Sequence, residues 1–179
     1  QNMTTSIHIT ALDGIVNVNS LFTLAVFLGL TWNPRDPTNS LVADPTCAPG
    51  PLVAENLISF HVYSFSSFLF SSLIALGIKQ AMRISRTPNY HYNQISSEIF
   101  ARVNKTVFRV GMLVSGLGSV CGCVFLMLAL INVVQIKLGS LACGRSSSGH
   151  TFAAVVPLVT LVPAALLIYV SVVLYALTR

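Results

Sequence analysis

Charged side chains are scarce in this sequence. Its 179 residues include ten Lys and Arg and five Asp and Glu, so charged residues make up 8% of the chain, against about 25% in soluble domains. Hydrophobic residues reach 54%. So few charges cannot cover the surface of a water-soluble fold of this size. The composition therefore excludes a soluble enzyme, a disordered tail and a nucleic-acid-binding protein, and no nucleic-acid partner is expected.

The few charges are spaced so that four long intervals contain none. These intervals run for 21, 23, 27 and 33 residues after Asp13, Glu55, Arg109 and Arg145. A bilayer core of about 30 Å needs roughly 20 apolar residues of helix, so each interval is long enough to span it. The sequence thus predicts one all-α transmembrane domain over residues 1–179, an integral membrane four-helix bundle. The predicted spans are residues 13–32, 56–80, 109–136 and 151–177, with outer loops 33–55 and 137–150 and inner loop 81–108.

Positive charge is concentrated between the second and third predicted helices. This region carries six basic residues against the single acid Glu98: Lys79, Arg83, Arg86, Arg102, Lys105 and Arg109. Basic residues beside short connections resist translocation, so we expect this loop and both termini to be cytoplasmic. The net charge of +5 then reflects topology, with added attraction to anionic inner-leaflet lipid of about 1 kcal/mol per basic residue at the surface. No basic segment precedes the first apolar stretch, so no cleavable signal peptide is predicted.

The third helix is predicted to begin well before its span. Pro88-Asn89 is a turn signal, and Asn93 is a favourable residue to cap a helix. Apolar residues then recur every four positions, at Ile95, Ile99, Val103 and Val107. We expect the helix to start near residue 94 and to extend into the cytoplasm. There it could lie on lipid headgroups, pack on a partner, or simply continue the helix.

The four cysteines divide into two pairs. Cys47 and Cys143 fall in the two outer loops, on the same side of the membrane, so they can form a disulfide if that side is oxidising. The alternative is two free thiols. A secretory-pathway or plasma-membrane location is accordingly favoured over an organelle inner membrane. Cys121 and Cys123 lie in mid-helix and are expected to behave as small apolar residues, because no charge is near to stabilise a thiolate.

The third helix carries a row of small residues. At 100° per residue its members fall within an arc of about 60°, and they are Gly111, Ser115, Gly118, Gly122 and Ala129. Such a row lets two membrane helices approach closely. It could pack against another helix of the same chain, or it could bind a second copy or a partner subunit.

Polar residues inside the predicted spans form two groups at different depths. His61 and Asn132 lie near the outer ends of their helices, which makes them a plausible pair. Asn17 and Asn19, with Asp13, lie at the inner end of the first helix and are level with Ser71, Ser72, Ser115 and Ser171. Intramembrane polar groups are candidate functional sites, although structural hydrogen bonds explain them equally well. Ser64, Ser67 and Ser71 share one face of the second helix and could line a polar pore.

Several kinds of chemical site are missing. No Asp, Glu, Lys or Arg lies in the middle of a span, so the usual relay for ion-coupled transport is absent. The four histidines lie in different regions without the spacing of metal ligands. The sequence contains no glycine-rich phosphate loop and no Ser/His/Asp set on one side of the membrane. We therefore expect no enzyme activity, no metal and no cofactor.

The segment from Ile7 to Thr23, which reads IHITALDGIVNVNSLFT, precedes a second helix rich in Ser and Phe. Together they resemble the small four-span plant membrane proteins of the maternal effect embryo arrest 60 type. The resemblance covers mainly the first two helices. It implies a plant origin and an integral membrane location, and it carries over no site residues.

Two functions fit these observations best. The first is a non-enzymatic membrane protein that works by association, as an accessory subunit or a self-associating scaffold, and therefore as a homo-oligomer or beside a larger membrane protein. The second is an oligomeric channel or carrier for a small neutral or weakly ionic solute. A lipid-binding role for the basic inner loop is a third hypothesis.

Overall fold

The computed structural model describes residues 2–31, 50–84, 94–138 and 149–178. This part of the chain forms four α-helices: α1 (Asn2–Thr31), α2 (Pro51–Ile84), α3 (Gln94–Leu138) and α4 (Gly149–Thr178). All four are long and apolar enough to cross a membrane, over Ile9–Gly29, Pro51–Met82, Thr106–Leu138 and Thr151–Val172. The all-helical class and the number of spans are as predicted from the charge-free intervals.

The first two helices begin earlier than predicted. Helix α1 starts at Asn2 instead of residue 13, because no proline or glycine precedes Gly14 and β-branched residues lower helix propensity only slightly. Helix α2 starts at Pro51 instead of residue 56. Proline suits the first position of a helix, where no backbone N–H is needed, and the next turn closes with Val53 N–H donating to the Gly50 carbonyl at 3.1 Å.

Helix α3 is longer than a bilayer requires. Its 45 residues begin at Gln94, as predicted, and correspond to about 67 Å of helix. The apolar span begins at Thr106, so the preceding part of α3 extends about 18 Å beyond it.

Helix α2 packs extensively against both α1 and α3, whereas α4 packs mainly against α3. Among the described side chains of α4, only Thr151 is buried. The hydroxyl of Thr151 donates to the Leu138 carbonyl at the end of α3, at 3.3 Å. Helices α1, α2 and α3 therefore contain nearly all of the buried core, and α4 lies against its side.

The core consists of two apolar clusters at different heights. The first lies toward the N-terminal end of α1 and contains Leu12, Ile15, Ala75, Ile78, Met82 and Met112. The second lies toward the C-terminal end of α1 and contains Val26, Phe68, Cys123 and Leu126. Asn19, Ser71 and Ser115 are buried between them. Buried polar side chains therefore lie between the two apolar clusters, within the apolar spans of the helices.

Candidate functional site

Asn19 is the centre of a hydrogen-bonded group that joins three helices. Its amide nitrogen Nδ2 on α1 donates to Ser71 Oγ at 2.8 Å and to Ser72 Oγ at 3.2 Å, both on α2. Its Oδ1 accepts from Ser119 Oγ on α3 at 2.7 Å. The amide thus uses both donor hydrogens and its carbonyl oxygen. We call Asn19, Ser71, Ser72, Ser115 and Ser119 the polar layer.

Within the polar layer, α2 and α3 are joined reciprocally. Ser71 Oγ donates to the Ser115 carbonyl at 2.7 Å, and Ser115 Oγ donates to the Ser71 carbonyl at 2.8 Å. Both hydroxyls are fully buried. Two turns earlier in α2, Ser64 Oγ donates to the Gly122 carbonyl at 2.8 Å. Because a buried polar group without a partner is costly, these bonds fix the height of α2 against α3.

The row of small residues on α3 faces α2 of the same chain. A Cβ atom at Gly122 would lie 2.7 Å from the ring of Phe68, and one at Gly118 would lie 3.2 Å from Ser71 Cβ. One at Gly111 would lie 2.5 Å from Ile78 Cδ1. Ala129 at the far end of the row is fully buried. The sequence predicts that the row packs either on another helix of the same chain or on a second protein. In the structure it packs on α2 of the same chain.

His61 contacts α1 and does not pair with Asn132. Its Nδ1 is 2.8 Å from the Leu57 carbonyl of its own helix, and its ring occupies the space where a Cβ of Gly29 would lie. Asn132 Nδ2 is buried without a hydrogen-bond partner in the described part of the chain. The predicted His61–Asn132 pair is thus wrong, because the ring of His61 packs into the gap that Gly29 leaves on α1.

Three other polar residues of the predicted spans do not join the polar layer. Asn17 is exposed, since it lies two positions from Asn19 and so points away from the core. Ser67 Oγ donates to the Tyr63 carbonyl at 2.8 Å, and Ser171 Oγ donates to the Leu167 carbonyl at 2.7 Å. Both serines therefore satisfy their hydroxyls within their own helices.

The polar layer also contains a residue that the sequence analysis missed. Ser119 is 2% exposed and lies one helical turn beyond Ser115, on the face that carries the small residues. A serine four positions after another serine of that row is the signal that would have found it.

An ion pair joins α1 and α2 at the end of the first apolar cluster. Lys79 Nζ bonds Asp13 Oδ1, and both side chains are partly exposed. The sequence predicts both residues at the inner ends of their helices but does not indicate that they pair. Of the other basic residues, Arg109 is exposed, Arg86 lies outside the described residues, and so do the side chains of Arg83, Arg102 and Lys105.

The cysteines of the described helices are unbonded thiols. Cys121 is exposed, whereas Cys123 is buried in the second apolar cluster. Cys47 and Cys143 lie outside the described residues, so their disulfide stays a prediction. Among the residues that the structure describes, no group of three or more His, Cys, Asp or Glu side chains could hold a metal ion.

Two cavities lie along α3. A groove of about 440 Å³ opens between α2 and α3, with the two serines Ser66 and Ser67 and the thiol of Cys121 on its walls. A smaller cavity of about 50 Å³ lies between α3 and α4 and includes Tyr169. The Tyr169 hydroxyl is buried and has no partner within the described helices. Both cavities are lined mainly by apolar side chains.

No protein-family model matches the chain, and no curated protein or solved structure matches it either. The resemblance to the plant four-span proteins therefore stays a prediction. The fold and the polar layer define the class: the described residues form an all-helical protein with four helices long and apolar enough to cross a membrane, as in an integral membrane protein, and interior polar side chains bond one helix to another.

Proposed function

We propose that the protein is a non-enzymatic multi-pass membrane protein that works by association, as an accessory subunit or as a self-associating scaffold. The polar layer carries this proposal. Asn19 uses both amide hydrogens and its carbonyl oxygen within the chain, and Ser71 and Ser115 bond each other's backbone. Groups engaged in this way hold helices together and are not free to bind a substrate.

The outer surface supports the same proposal. Large apolar side chains are exposed along every helix, including Leu21, Leu73, Leu117 and Leu167. Lipid or other membrane helices must cover them, and membrane helices associate through packing and interhelical hydrogen bonds. The chain thus presents mainly apolar faces and keeps the polar layer inside, which suits a protein whose partners are other membrane proteins.

The proposal includes a topology. We place the four helices in one bundle with both termini and the 81–108 connection in the cytoplasm, in the plasma membrane or along the secretory pathway. The six basic residues from Lys79 to Arg109 would then face anionic inner-leaflet lipid. Protease access to residues 85–93 in sealed vesicles, or thiol-reagent access to a cysteine introduced there, tests this. Access only from the cytoplasmic side is expected, and access only from the opposite side would overturn the topology.

Particle composition tests the proposed function. The full chain should be extracted in mild detergent, purified and weighed by native mass spectrometry. The proposal predicts a multiple of the 19.2 kDa chain mass, or this chain with a partner in fixed stoichiometry. A particle of one chain alone, both in detergent and in lipid nanodiscs prepared directly from the membrane, would contradict it.

The alternative function, an oligomeric channel or carrier lined by Ser64, Ser67 and Ser71, has less support. The hydroxyls of Ser64 and Ser71 are buried and donate to carbonyls of α3, so a pore along them would require α2 and α3 to separate. Solute flux into liposomes tests the alternative. Flux that falls in Ser67→Leu would favour it, and flux equal to that of empty liposomes would remove it.

A further inference from the structure

Helix α1 carries an exposed stripe opposite its buried face. Its members follow one another at spacings of three and four residues: Gly14, Asn17, Leu21, Leu24 and Leu28, all of them exposed. They fall within an arc of about 80°, and we call them the outer α1 stripe. Leu21, Leu24 and Leu28 are 68%, 62% and 67% exposed. The core residues Leu12, Ile15, Asn19 and Val26 lie on the opposite side of the helix.

The polar member of this stripe has no partner. In the part of the chain that the structure describes, the Asn17 side chain makes no hydrogen bond. Exposed hydroxyls elsewhere are satisfied within their own helices: Ser20 donates to the Val16 carbonyl, Ser59 to that of Glu55 and Thr160 to that of Val156. Asn17 is the eighth residue after the start of the Ile9–Gly29 span, about 12 Å along it. At that depth an unpaired amide facing lipid is costly.

Spacings of three and four residues are those of the apolar seam of a left-handed coiled coil. A single asparagine in such a seam fixes register and oligomeric state, and side-chain hydrogen bonds between helices strengthen association in membranes. An amide is also self-complementary, because its Nδ2 can donate to the Oδ1 of an identical side chain. If a two-fold axis parallel to α1 relates two copies of the chain, the seams of the two α1 helices face each other. The two Asn17 side chains then lie opposite each other.

We propose that the outer α1 stripe is the surface through which two copies of this chain associate, with their α1 helices parallel and their Asn17 amides hydrogen-bonded to each other. This inference rests on the proposed function and names its contact surface. Gly14 leaves room for close approach, since nothing within the chain lies within 4 Å of the position of its Cβ. The three leucines above it exclude lipid from the pair of amides.

Association can be measured by energy transfer between donor- and acceptor-labelled full chains in liposomes, as the protein is diluted with lipid. Asn17→Leu should weaken association roughly 5- to 30-fold, as expected for the loss of one or two interhelical hydrogen bonds. Asn17→Gln retains the donor and acceptor and should preserve most of the association. The matched control is Ser20→Leu, at an exposed position about 80° from the centre of the stripe, and it should leave association unchanged. Thermal unfolding of each variant verifies that the fold is intact.

Cross-linking tests the geometry independently. Cysteines introduced by Leu21→Cys or Leu28→Cys, in a chain with Cys121→Ser, should give disulfide-linked dimers on mild oxidation. Phe27→Cys should not, since Phe27 is also exposed, at 57%, but lies about 100° from the centre of the stripe. The Cys121→Ser chain without an added cysteine gives the background.

The outcomes separate this inference from the proposed function. Association that persists in Asn17→Leu, with no cross-link through Leu21→Cys, overturns the stripe and leaves an associating protein with another contact surface. A wild-type chain that stays monomeric in liposomes also overturns the stripe. In that case the proposed function depends on whether a different membrane protein co-purifies with the chain.

Discussion

The side-chain amide of Asn19 on α1 donates to the hydroxyl of Ser71 on α2 at 2.8 Å, and the same hydroxyl donates to the Ser115 carbonyl on α3 at 2.7 Å. Three helices thus meet at two side chains. A helix that shifted by one turn would leave these groups unpaired in an apolar environment. Apolar surfaces alone would let the helices pack at several displacements along their axes. The polar layer therefore fixes their register.

We expect Asn19→Leu to lower the free energy of unfolding by about 1–3 kcal/mol. Leucine has a similar size, so the loss comes mainly from the bonds to Ser71, Ser72 and Ser119, and serine hydroxyls can recover part of it on their own helix. Titration with a denaturing detergent, followed by circular dichroism, measures the change. Ser20→Leu, at the neighbouring exposed position, is the matched control, because the Ser20 hydroxyl bonds the Val16 carbonyl of its own helix. A loss of stability as large in Ser20→Leu as in Asn19→Leu would contradict the role of the polar layer.

We expect Gly122→Ala to destabilise the fold by about 1–3 kcal/mol, since the added methyl group would lie 2.7 Å from the buried ring of Phe68. Gly116→Ala is the control, because nothing lies within 4 Å of its added Cβ, and the higher helix propensity of alanine should stabilise it by up to about 1 kcal/mol. Adding Phe68→Leu should offset part of the clash, so the two effects should not be additive. Equal effects of Gly122→Ala and Gly116→Ala would show that the α2–α3 contact is looser than described.

The ion pair of Asp13 and Lys79 should couple α1 to α2 weakly. Asp13→Lys places two cations together and should lower stability, while the exchange of both residues, Asp13→Lys with Lys79→Asp, should restore most of it. The coupling energy from such a double-mutant cycle should stay within about 1 kcal/mol for partly exposed side chains, and it should fall as salt is raised. A double variant no more stable than Asp13→Lys alone would argue against a direct pair.

The disulfide between Cys47 and Cys143 is predicted to form in the chain as isolated from its membrane. Mass spectrometry of peptides from chain unfolded in denaturant and alkylated before and after reduction should find these two thiols protected until reduction, and Cys121 alkylated without reduction, because Cys121 is an unbonded thiol. Such a bond stabilises mainly by restricting the unfolded chain. Alkylation of Cys47 and Cys143 without reduction would disprove the pairing.

The number of helices and the early start of α3 could be predicted from the sequence, because charges and Pro88 interrupt an otherwise apolar chain. The start of α1 could not. Residues 2–12 carry no apolar run long enough to mark a span, and their helix is visible only in the structure. The start of α2 at Pro51 was missed because five prolines in residues 33–55 favour an irregular loop, although proline is also well suited to open a helix.

The polar layer was partly predictable. The depth of Asn19, Ser71, Ser72 and Ser115 follows from counting residues along antiparallel helices, and the structure brings Asn19 into contact with Ser71 and Ser72. Rotation about the helix axis does not follow from such a count. Asn17 is level with the same serines and points outward, and His61 is level with Asn132 and turns toward Gly29. The position of a residue along the membrane normal can be counted from its own helix. The direction in which its side chain points depends on how all of the helices pack.

Whether the protein associates in its native membrane can be measured by counting subunits. The full chain, with a fluorescent tag and expressed at its native level, can be captured in nanodiscs formed straight from the membrane, and its bleaching steps can be counted together with the proteins that accompany it. Association requires discs with two or more copies, or single copies that always accompany one partner. Discs that hold one chain and no recurring partner would contradict it.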